Sequence, residues 1–538
     1  MESLSPDLAR RTFLKGALAT VPLALLSPSL FSPDKAAAQM IGPSTPTAPY
    51  LLPSVAHVRT VAMLTAGNAV GGYRMVGIPD GLGAFRSGHK EFTLLMNHEI
   101  TAARPGVVRA HGSSGAFVSK WIIDAETLEV KRGEDLTRSA DHVFLWDPAV
   151  NQYTRGTTQW QRLCSADLAA ESAYFARGLG TRDRIFLNGE EVSEGRAWAR
   201  IASGPHAGEA WQLPRFGRLS FENAVASPYP QDKTVVMCTD DGALSTTANA
   251  AAFPSEVYVY VGIKQRRGAT IEQAGLTNGS LFGMTIAVNG VAVAEESDVF
   301  GLGNATTGYV GKGRFGLANL GDVSNKSALE LEQASIAAGV ARLQRCEDGA
   351  WDPRAKRQND FYFVTTASLT NNCRLWRLRF DDVEHPEAGG SIAILLRGDE
   401  GHKMLDNVTI DRFGRILMDE DPGTSDRISK IWLYSIDTRE LIQVAAHNPR
   451  FFDGAAASPD FITLDEESSG IIDAADILGN GWFLLDVQAH KLSGAADADL
   501  VEGGQLLAMF VDPAIGNAAC RGDDDDHDDP ADDDDRRR

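Results

Sequence analysis

Short apolar stretches in which polar side chains alternate with apolar ones recur along most of the chain. They are rich in β-branched and aromatic residues and are bounded by Gly, Asp, Asn or Pro, which is typical of β-strands. Residues 327–343 carry Leu, Ile and Ala at helical spacing and predict the one long helix. The chain is therefore predicted to be all-β, with inserted loops and at least one helix. The clearest predicted strands cover residues 233–241, 255–262, 360–368, 373–382, 414–423, 429–437 and 479–490.

The predicted strands follow a repeated order. An apolar strand that ends in polar or acidic residues precedes a strand with alternating aromatic side chains. The first strands of these units start near residues 184, 235, 361, 415 and 481, so the shorter spacings are roughly 50 to 65 residues. Kelch-type propeller blades repeat at about 50 residues. A β-sandwich with long insertions is the alternative, but it does not explain the repeated order, so the pattern favours a β-propeller.

Adjacent carboxylates follow several of these first strands. If the first strand of each unit lines the central channel of a propeller, the carboxylates converge at one mouth. They would repel one another strongly unless cations compensate, and oxygen ligands of this kind suit calcium first and ferric iron second. A solvated turn is the simpler explanation of any single pair. The residues concerned are Glu190, Glu191, Asp240, Asp241, Glu347, Asp348, Asp406, Asn407, Asp419, Glu420 and Asp421.

Charge and cysteine content narrow the classes of function. The 538 residues carry a net charge of −21, of which the last eighteen residues, with ten Asp and four Arg, contribute −6. The remaining −15 argues against a nucleic-acid-binding protein, which needs a basic surface. Five widely spaced cysteines with no CxxC pair indicate neither a zinc site nor a disulfide scaffold. The Asp-rich segment 514–538 is predicted to be a disordered tail.

The N-terminal segment reads as an export signal. Arg10 and Arg11 precede Phe13, Leu14 and Lys15, a modest apolar stretch follows, and small residues stand at 36–38. This order matches a twin-arginine signal peptide, predicted here as residues 1–39. A membrane anchor fits poorly because prolines interrupt an apolar run that is too short to span. We expect a periplasmic or secreted protein whose mature part, residues 40–513, is a single propeller domain.

Several stretches of the mature chain resemble the PhoX family of exported bacterial phosphatases. The resemblance implies a six-bladed propeller that hydrolyses phosphomonoesters at a cluster of calcium and ferric ions. Metal ions in such a site bind phosphate oxygens and activate an oxygen nucleophile. The stretches that carry the resemblance are residues 94–100, 184–192, 215–226, 234–241, 342–353, 405–423, 465–474 and 481–490.

The resemblance also implies the site residues. Glu191 is predicted to be catalytic as well as a ligand. A phosphatase also needs a basic residue that binds phosphate, for which His98 and Arg109 are the predicted candidates, with Arg104, His111 and Lys403 as further ones. A structural hydrogen-bonding role is the alternative for His98. Where the family motif has a cysteine whose thiolate bridges two irons, this chain has Gly189, and Cys164 lies about 25 residues upstream. Calcium is therefore the predicted cofactor and ferric iron the second choice. The implied metal ligands are Glu190, Glu191, Glu222, Asp240, Asp241, Glu347, Asp406, Glu420 and Asp421.

Three functions stay open from the sequence. The first is a metal-dependent phosphomonoesterase that acts on a small phosphorylated substrate. The second is a calcium-dependent propeller hydrolase of another ester or a lactone, and the third is a non-catalytic, calcium-stabilised binding propeller. In each case we expect a monomer with no nucleic-acid partner and no stable membrane anchor.

Overall fold

Six blades of mainly antiparallel strands dominate the structure, a computed structural model that describes residues 38–242, 254–296, 311–494 and 497–517. We number the blades 1 to 6 in the chain order of their first strands. The all-β propeller prediction is confirmed. The predicted signal segment, up to residue 37, and the acidic tail, from residue 518, lie outside the described residues.

In order from the channel outward, the strands of blade 1 are Pro79–Arg86, Glu91–His98, Phe117–Asp124 and Val130–Asp135, and the strands of the other blades run in the same order. Blade 2 has Leu163–Asp167, Ile185–Ile201, Ala210–Gln212, Val143–Asp147 and Gln152–Arg155. Blade 3 has Arg218–Ala226, Lys233–Asp240, Val257–Ile263 and Ser280–Val288. Blade 4 has Cys346–Trp351, Asp360–Thr365, Arg374–Phe380 and Gly390–Leu396. Blade 5 has Leu405–Ile410, Arg415–Glu420, Lys430–Ser435, Leu441–His447 and Leu51–Pro53. Blade 6 has Glu466–Asp473, Trp482–Ala489, Gly503–Val511, Val58–Thr65 and Ala38–Ile41.

The remaining elements decorate this ring. Lys312–Gly321 pairs with the outer strands of blades 3 and 4 and joins them into one continuous sheet, while Val291–Val293 extends blade 3. Two small hairpins are Ala69–Val70 with Tyr73–Arg74 and Phe175–Ala176 with Leu179–Gly180. The described α-helices are Thr270–Gln273, Ala328–Ala338, Pro449–Phe452 and Ala475–Leu478, and none is long and apolar enough to cross a membrane.

The six first strands close into a ring. Each contacts the first strand of the next blade, and that of blade 6 contacts that of blade 1. Blade 6 is completed by Val58–Thr65, which comes from the N-terminal part of the chain and pairs with Gly503–Val511 near the C-terminal end of the fold. The two ends of the fold therefore fasten the ring to itself.

Stacking of the blades explains the apolar runs. In Lys233–Asp240, Val236 and Cys238 pack in an apolar cluster with blade 2, whereas Val235 and Met237 pack in another with blade 4. Neighbouring residues of a strand point to opposite faces of the sheet. Because a blade is covered on both faces, its second strand is largely apolar, and such strands gave the strongest signals in the sequence.

One sequence expectation is corrected here. The strands near 184, 235, 361, 415 and 481 were expected to line the channel, but they are the second strands of blades 2 to 6. The true innermost strands include Leu163–Asp167, Cys346–Trp351 and Leu405–Ile410. Their sequences, LCSAD, CEDGAW and LDNVTI, mix carboxylates with small residues because they face a narrow polar channel. Such a composition carries little strand signal.

The predicted helix over 327–343 is shorter than expected. Ser327 caps its start, since its hydroxyl accepts from the backbone of Glu330 while the Glu330 carboxylate accepts from the backbone of Ser327. Gly339 follows the last turn with φ +74° and stops the helix at Ala338. A glycine in this left-handed conformation is a common helix terminator.

Candidate metal centre

Nine metal-ligating side chains meet where the first strands of all six blades begin. They fall into four overlapping groups of three, and within each group one ligand atom per residue lies within 4.8 Å of the others. Each blade contributes one residue from its first strand, and three more come from the ends or edges of second strands. We call this set the mouth cluster: Asp80, Glu99, Cys164, Glu191, Glu222, Glu347, Asp406, Asp421 and Glu467.

In every blade, a β-bulge lies at or near the residue that the first strand contributes to the mouth cluster. In blade 2, the register between the first and second strands shifts between Leu163 and Ala166, and Cys164 lies inside that step. Glu222, Glu347 and Asp406 lie inside the corresponding steps of blades 3, 4 and 5. Blades 1 and 6 show the same shift close to Asp80 and Glu467. A bulge bends the strand and re-aims a side chain, which here turns the ligands into the channel mouth.

The adjacent carboxylates of the sequence are separated by the fold. Glu191 joins the mouth cluster, but Glu190 accepts from Arg196 Nη2 at 2.8 Å on the opposite face of the strand. Likewise Asp421 is in the cluster, whereas Glu420 accepts from the Trp432 indole at 2.8 Å. Neighbouring strand residues point to opposite faces, so only one of each pair reaches the mouth.

Blade 3 shows the same separation beside the cluster. Asp240 accepts from the backbone N–H of Ser220 at 2.9 Å and does not belong to the mouth cluster. Asp241 accepts from Arg345 Nε at 2.9 Å, and the same guanidinium lies 3.2 Å from the Glu347 carboxylate. Five of the nine predicted ligands therefore meet in the mouth cluster and Asp241 adjoins it.

Two arginines neutralise part of this charge. Arg162 lies 2.6 Å from both Glu99 and Glu191, and Arg345 bridges Asp241 and Glu347. Each precedes the first strand of its blade and has a left-handed backbone, with φ +39° at Arg162 and +62° at Arg345. That conformation costs a non-glycine residue about 1–2 kcal/mol and concentrates at functional sites. The strain here orients a guanidinium over the mouth.

The carboxylates still outnumber the cations. Burial, with a smaller contribution from Asp241 and Asp348, raises the pKa of Glu222 to about 8 even though Ser165 donates to it. Burial and then Glu347 and Glu222 raise the pKa of Asp406 well above its ordinary value. Two arginines alone therefore do not stabilise the cluster in its ionised form.

The residues present fit a group of bound cations. Glu222 Oε2 and Asp406 Oδ1 are buried and receive no hydrogen bond from any described residue, although each belongs to the cluster. A buried, unpartnered carboxylate oxygen is costly unless a cation or donor meets it. Eight carboxylates form a donor set for hard ions such as calcium, and the single thiol of Cys164 adds a ligand that suits iron.

The thiol of the centre comes from Cys164 and not from position 189. Cys164 is buried, its Sγ lies 3.3 Å from Asp80 Oδ2, and it belongs to two of the four ligand groups. Burial, followed by Asp80 and Glu222, raises the pKa of the thiol well above its ordinary value. A Cβ at Gly189 would stand 2.2 Å from the Cβ of Phe221, so this position has no room for a cysteine.

Gly189→Ala is accordingly expected to destabilise the protein by about 1–3 kcal/mol, because a methyl group is forced into a filled core. Chemical unfolding would measure the change. Gly494→Ala is the matched control, since no atom lies within 4 Å of its added Cβ. Equal effects of the two substitutions on the free energy of unfolding would contradict the steric explanation.

The predicted basic residues lie away from the cluster. His98 is buried, contacts Gly77 O at 3.1 Å and Ser119 Oγ at 2.9 Å, and stacks on Phe117. Burial lowers the pKa of His98 to about 3, so the imidazole is neutral. The Arg109 guanidinium lies over the Phe117 ring, 4.1 Å from the ring centroid, and 3.2 Å from the Asp499 carboxylate.

A cavity of about 330 Å³ opens beside the mouth cluster. Arg162, Arg345 and Glu191 line it on one side, and Leu331 of the helix Ala328–Ala338 lines the other. Its volume lies at the lower end of the range of small-molecule sites. The cavity brings three guanidinium groups, those of Arg162, Arg218 and Arg345, against one small space together with the carboxylates of Glu191, Asp240, Asp241 and Glu332. None of Arg104, His111 and Lys403 lines it.

The sequence reasoning missed several members of this centre. Asp80 and Glu99 stand singly and Glu467 lies in a Ser-rich acidic turn. Arg162 precedes its strand without any motif, whereas Arg345 lies in the stretch 342–353 that carried the family resemblance. A usable signal was present, because Glu99 and Glu467 lie in stretches that carried the family resemblance. Their convergence depends on the ring of blades, which spacing along the chain does not show.

No protein-family model matches this chain, and no curated protein matches its sequence. Among solved structures, PhoX of Pseudomonas fluorescens, solved in complex with vanadate as a transition state analogue, is similar with a TM-score of 0.57. The match covers 86% of this chain and 95% of that one, at 11% identity.

Further structures match less well. A luciferin-regenerating enzyme has a TM-score of 0.30, 10% identity and coverage of 81% and 92% of the two chains. The propeller domain of the Trilobed protease from Pyrococcus furiosus has a TM-score of 0.29, 6% identity and coverage of 77% and 92%. We conclude that the chain has a PhoX-like β-propeller fold whose six first strands bring carboxylates and one thiol together.

Proposed function

We propose that the protein is a metal-dependent phosphomonoester hydrolase whose mouth cluster holds calcium and ferric ions. The observation that supports this most is the convergence of eight carboxylates and one thiol from all six blades, with two carboxylate oxygens left unpartnered. The likeness of fold to a PhoX structure solved with a phosphate-like transition state analogue supports the same reaction class.

In this proposal, Cys164 with Asp80, Glu99, Glu191 and Glu222 holds iron, and the carboxylates of blades 3 to 6 hold calcium. Bound ions would supply positive charge for the phosphoryl oxygens and would activate a water molecule. The chain's own residues position the ester. Glu191 is the cluster carboxylate that also lines the cavity, where it is placed to orient the attacking water.

Arg162 and Arg345 are proposed to bind the phosphoryl oxygens. Both line the cavity, and guanidinium groups match phosphate geometry through paired N–H donors. In this proposal they replace His98 and Arg109, which were predicted from the sequence to bind phosphate but do not line the cavity. The paired N–H donors of a guanidinium group match a phosphoryl group better than a neutral lactone, which supports the first functional hypothesis over the second.

The direct test is hydrolysis of p-nitrophenyl phosphate by purified, metal-loaded protein. We expect activity that a chelator abolishes and that calcium with ferric iron restores. p-Nitrophenyl acetate tests the alternative of a neutral ester. Folded protein with its metals bound that hydrolyses neither ester would favour a non-catalytic binding propeller, and activity on the acetate alone would overturn the phosphatase proposal.

Arg345→Gln is expected to lower kcat/KM for p-nitrophenyl phosphate about 100-fold, because two charge-assisted hydrogen bonds of about 1.5–3 kcal/mol each are at stake. Metal content should not change. Arg427→Gln is the matched control, since Arg427 pairs with Glu420 outside the mouth cluster and the cavity. Loss of bound metal in Arg345→Gln, or an equal loss of activity in the control, would contradict the assigned role.

The setting of this activity is also a proposal. The paired arginines at the N-terminus support export by the twin-arginine route and action on small phosphorylated substrates in the periplasm or outside the cell. A fusion of residues 1–39 to a folded reporter, with Arg10 and Arg11 both changed to lysine in the control, would test it. Export of both fusions to the same extent would contradict the route.

A further inference from the structure

A second cavity lies between blades 4 and 5, far from the mouth cluster. It has a volume of about 760 Å³ and is lined by Tyr362, Arg377 and Arg379 of blade 4 and by Tyr434 and Arg439 of blade 5. Arg379 pairs with Asp360, which begins the second strand of blade 4, whereas Thr365 at its other end lies opposite Cys346 beside the mouth. Five steps of about 3.3 Å separate these ends. The two cavities therefore open toward opposite ends of the blades.

The lining of this cleft is cationic although the chain carries a net charge of −21. Five basic residues and one acidic residue line it, and the acidic one, Asp437, is held at 3.1 Å by Arg354. Arg379 is neutralised by Asp360 at 2.7 Å. Arg377 and Arg439 form no ion pair with any described carboxylate. At least two positive charges are thus left without a counter-charge in the described part of the chain.

Two residues that line the same cleft carry unpartnered polar groups. Tyr362 is fully buried, yet its hydroxyl has no hydrogen-bond partner among the described residues, and Arg377 Nε is also buried without one. The two residues are directly opposite each other on neighbouring strands. A buried hydroxyl left unpaired costs about 1–3 kcal/mol. An oxygen of a ligand in the cleft would satisfy both groups.

We propose that this cleft binds a phosphorylated small molecule that also carries an apolar portion. Two unneutralised guanidinium groups call for a dianion, and phosphate accepts from guanidinium and phenol donors together. Ile394, Leu395 and Ile436 supply an apolar wall for the rest of the ligand. The volume lies within the range of small-molecule sites. The site does not depend on the proposed hydrolysis, because it shares no residue with the mouth cluster.

Isothermal titration with phenylphosphonate tests the proposal, since its P–C bond is not hydrolysed by a phosphomonoesterase. At slightly alkaline pH, we expect phenylphosphonate to bind to a class of sites whose affinity falls as salt is added. Binding to this class should persist after chelator treatment, whereas binding at the metal centre should not. Arg377→Gln should raise the Kd of this class at least about tenfold, because a hydrogen bond to a charged group is worth about 1.5–3 kcal/mol. Hydrolysis of p-nitrophenyl phosphate should not change.

Two further variants make the test specific. Arg314→Gln removes an equal charge from an exposed residue that pairs with Asp381, and the Kd should change less than about twofold. Tyr362→Phe should raise the Kd about tenfold without lowering the Tm, because the hydroxyl has no hydrogen-bond partner among the described residues. Absence of a chelator-resistant class would overturn the proposal. So would equal weakening in Arg314→Gln, or a lowered Tm with unchanged binding in Tyr362→Phe.

Discussion

Replacing Cys164 by serine is expected to abolish bound iron and to lower phosphomonoesterase activity by at least about 100-fold. Loss of a partner outside the ligand set already costs roughly 10–100-fold in metal affinity or activity, and Cys164 offers the only thiol in the described mouth cluster. Serine keeps the size of the side chain but provides no thiolate. The visible charge-transfer absorption of a ferric thiolate should disappear, while calcium bound by the carboxylates of blades 3 to 6 should remain.

Elemental analysis, absorption spectra and activity on the same preparations would measure this. Cys238→Ser is the matched control, because Cys238 is equally buried but packs in an apolar cluster of blades 2 and 3. It should lose stability and keep its iron. If Cys164→Ser retained full iron and full activity, the centre would not use a thiolate, and a calcium-only site would become the better interpretation.

Removal of the bound cations is expected to make stability fall as pH rises. Burial raises the pKa of Glu222 to about 8 and that of Asp421 to about 7, above their ordinary values of 4.5 and 3.8. In metal-free protein these groups favour the folded state when they are protonated. Their contribution is complete below about pH 4 and is lost progressively up to about pH 8.

Metal-loaded protein should behave in the opposite way over the same range. Cations compete with protons for the carboxylates, so binding strengthens as pH rises. When the free concentration of an ion is roughly a hundred times its Kd, the binding of that ion adds about 2.7 kcal/mol to the free energy of unfolding. The Tm of chelated and loaded protein should therefore diverge from acidic to slightly alkaline pH, and thermal unfolding across this range would measure the difference.

The Glu222→Gln variant provides the internal check. It removes one buried ionisable group that belongs to two ligand groups, so the metal-free variant should lose less stability with rising pH than the metal-free wild type. Glu440→Gln, at a partly exposed position on blade 5, should leave the pH dependence unchanged. Parallel pH curves for chelated and loaded wild-type protein would show that no cations compensate the mouth cluster.

The two predictions depend on one property of the centre. Its ligands are held by β-bulges in six separate blades, and each blade is fixed by apolar packing on both faces. The apolar packing of the blades therefore holds the carboxylates close together and opposes their mutual repulsion. Arg162 and Arg345 reduce this cost without removing it.

Much of the architecture followed from the amino-acid sequence. The second and third strands of the blades are apolar or aromatic because they are buried on both faces, so their limits were predicted to within a few residues, as for Lys233–Asp240 and Lys430–Ser435. The repeat spacing then indicated a propeller. Acidic residues at strand ends pointed to Glu191, Glu347 and Asp406, which the structure brings together.

Only the tertiary structure decided which side chains face the mouth. The choice of Glu191 over Glu190 follows from one step of strand alternation, and a single bulge reverses that alternation. Cys164 supplies the thiol, and it approaches Asp80, because its strand is the innermost one of blade 2. Position 189 lies on the second strand, where Phe221 leaves no room for a side chain. These contacts join residues that are 84 positions apart in one case, and local sequence carries no record of such pairings.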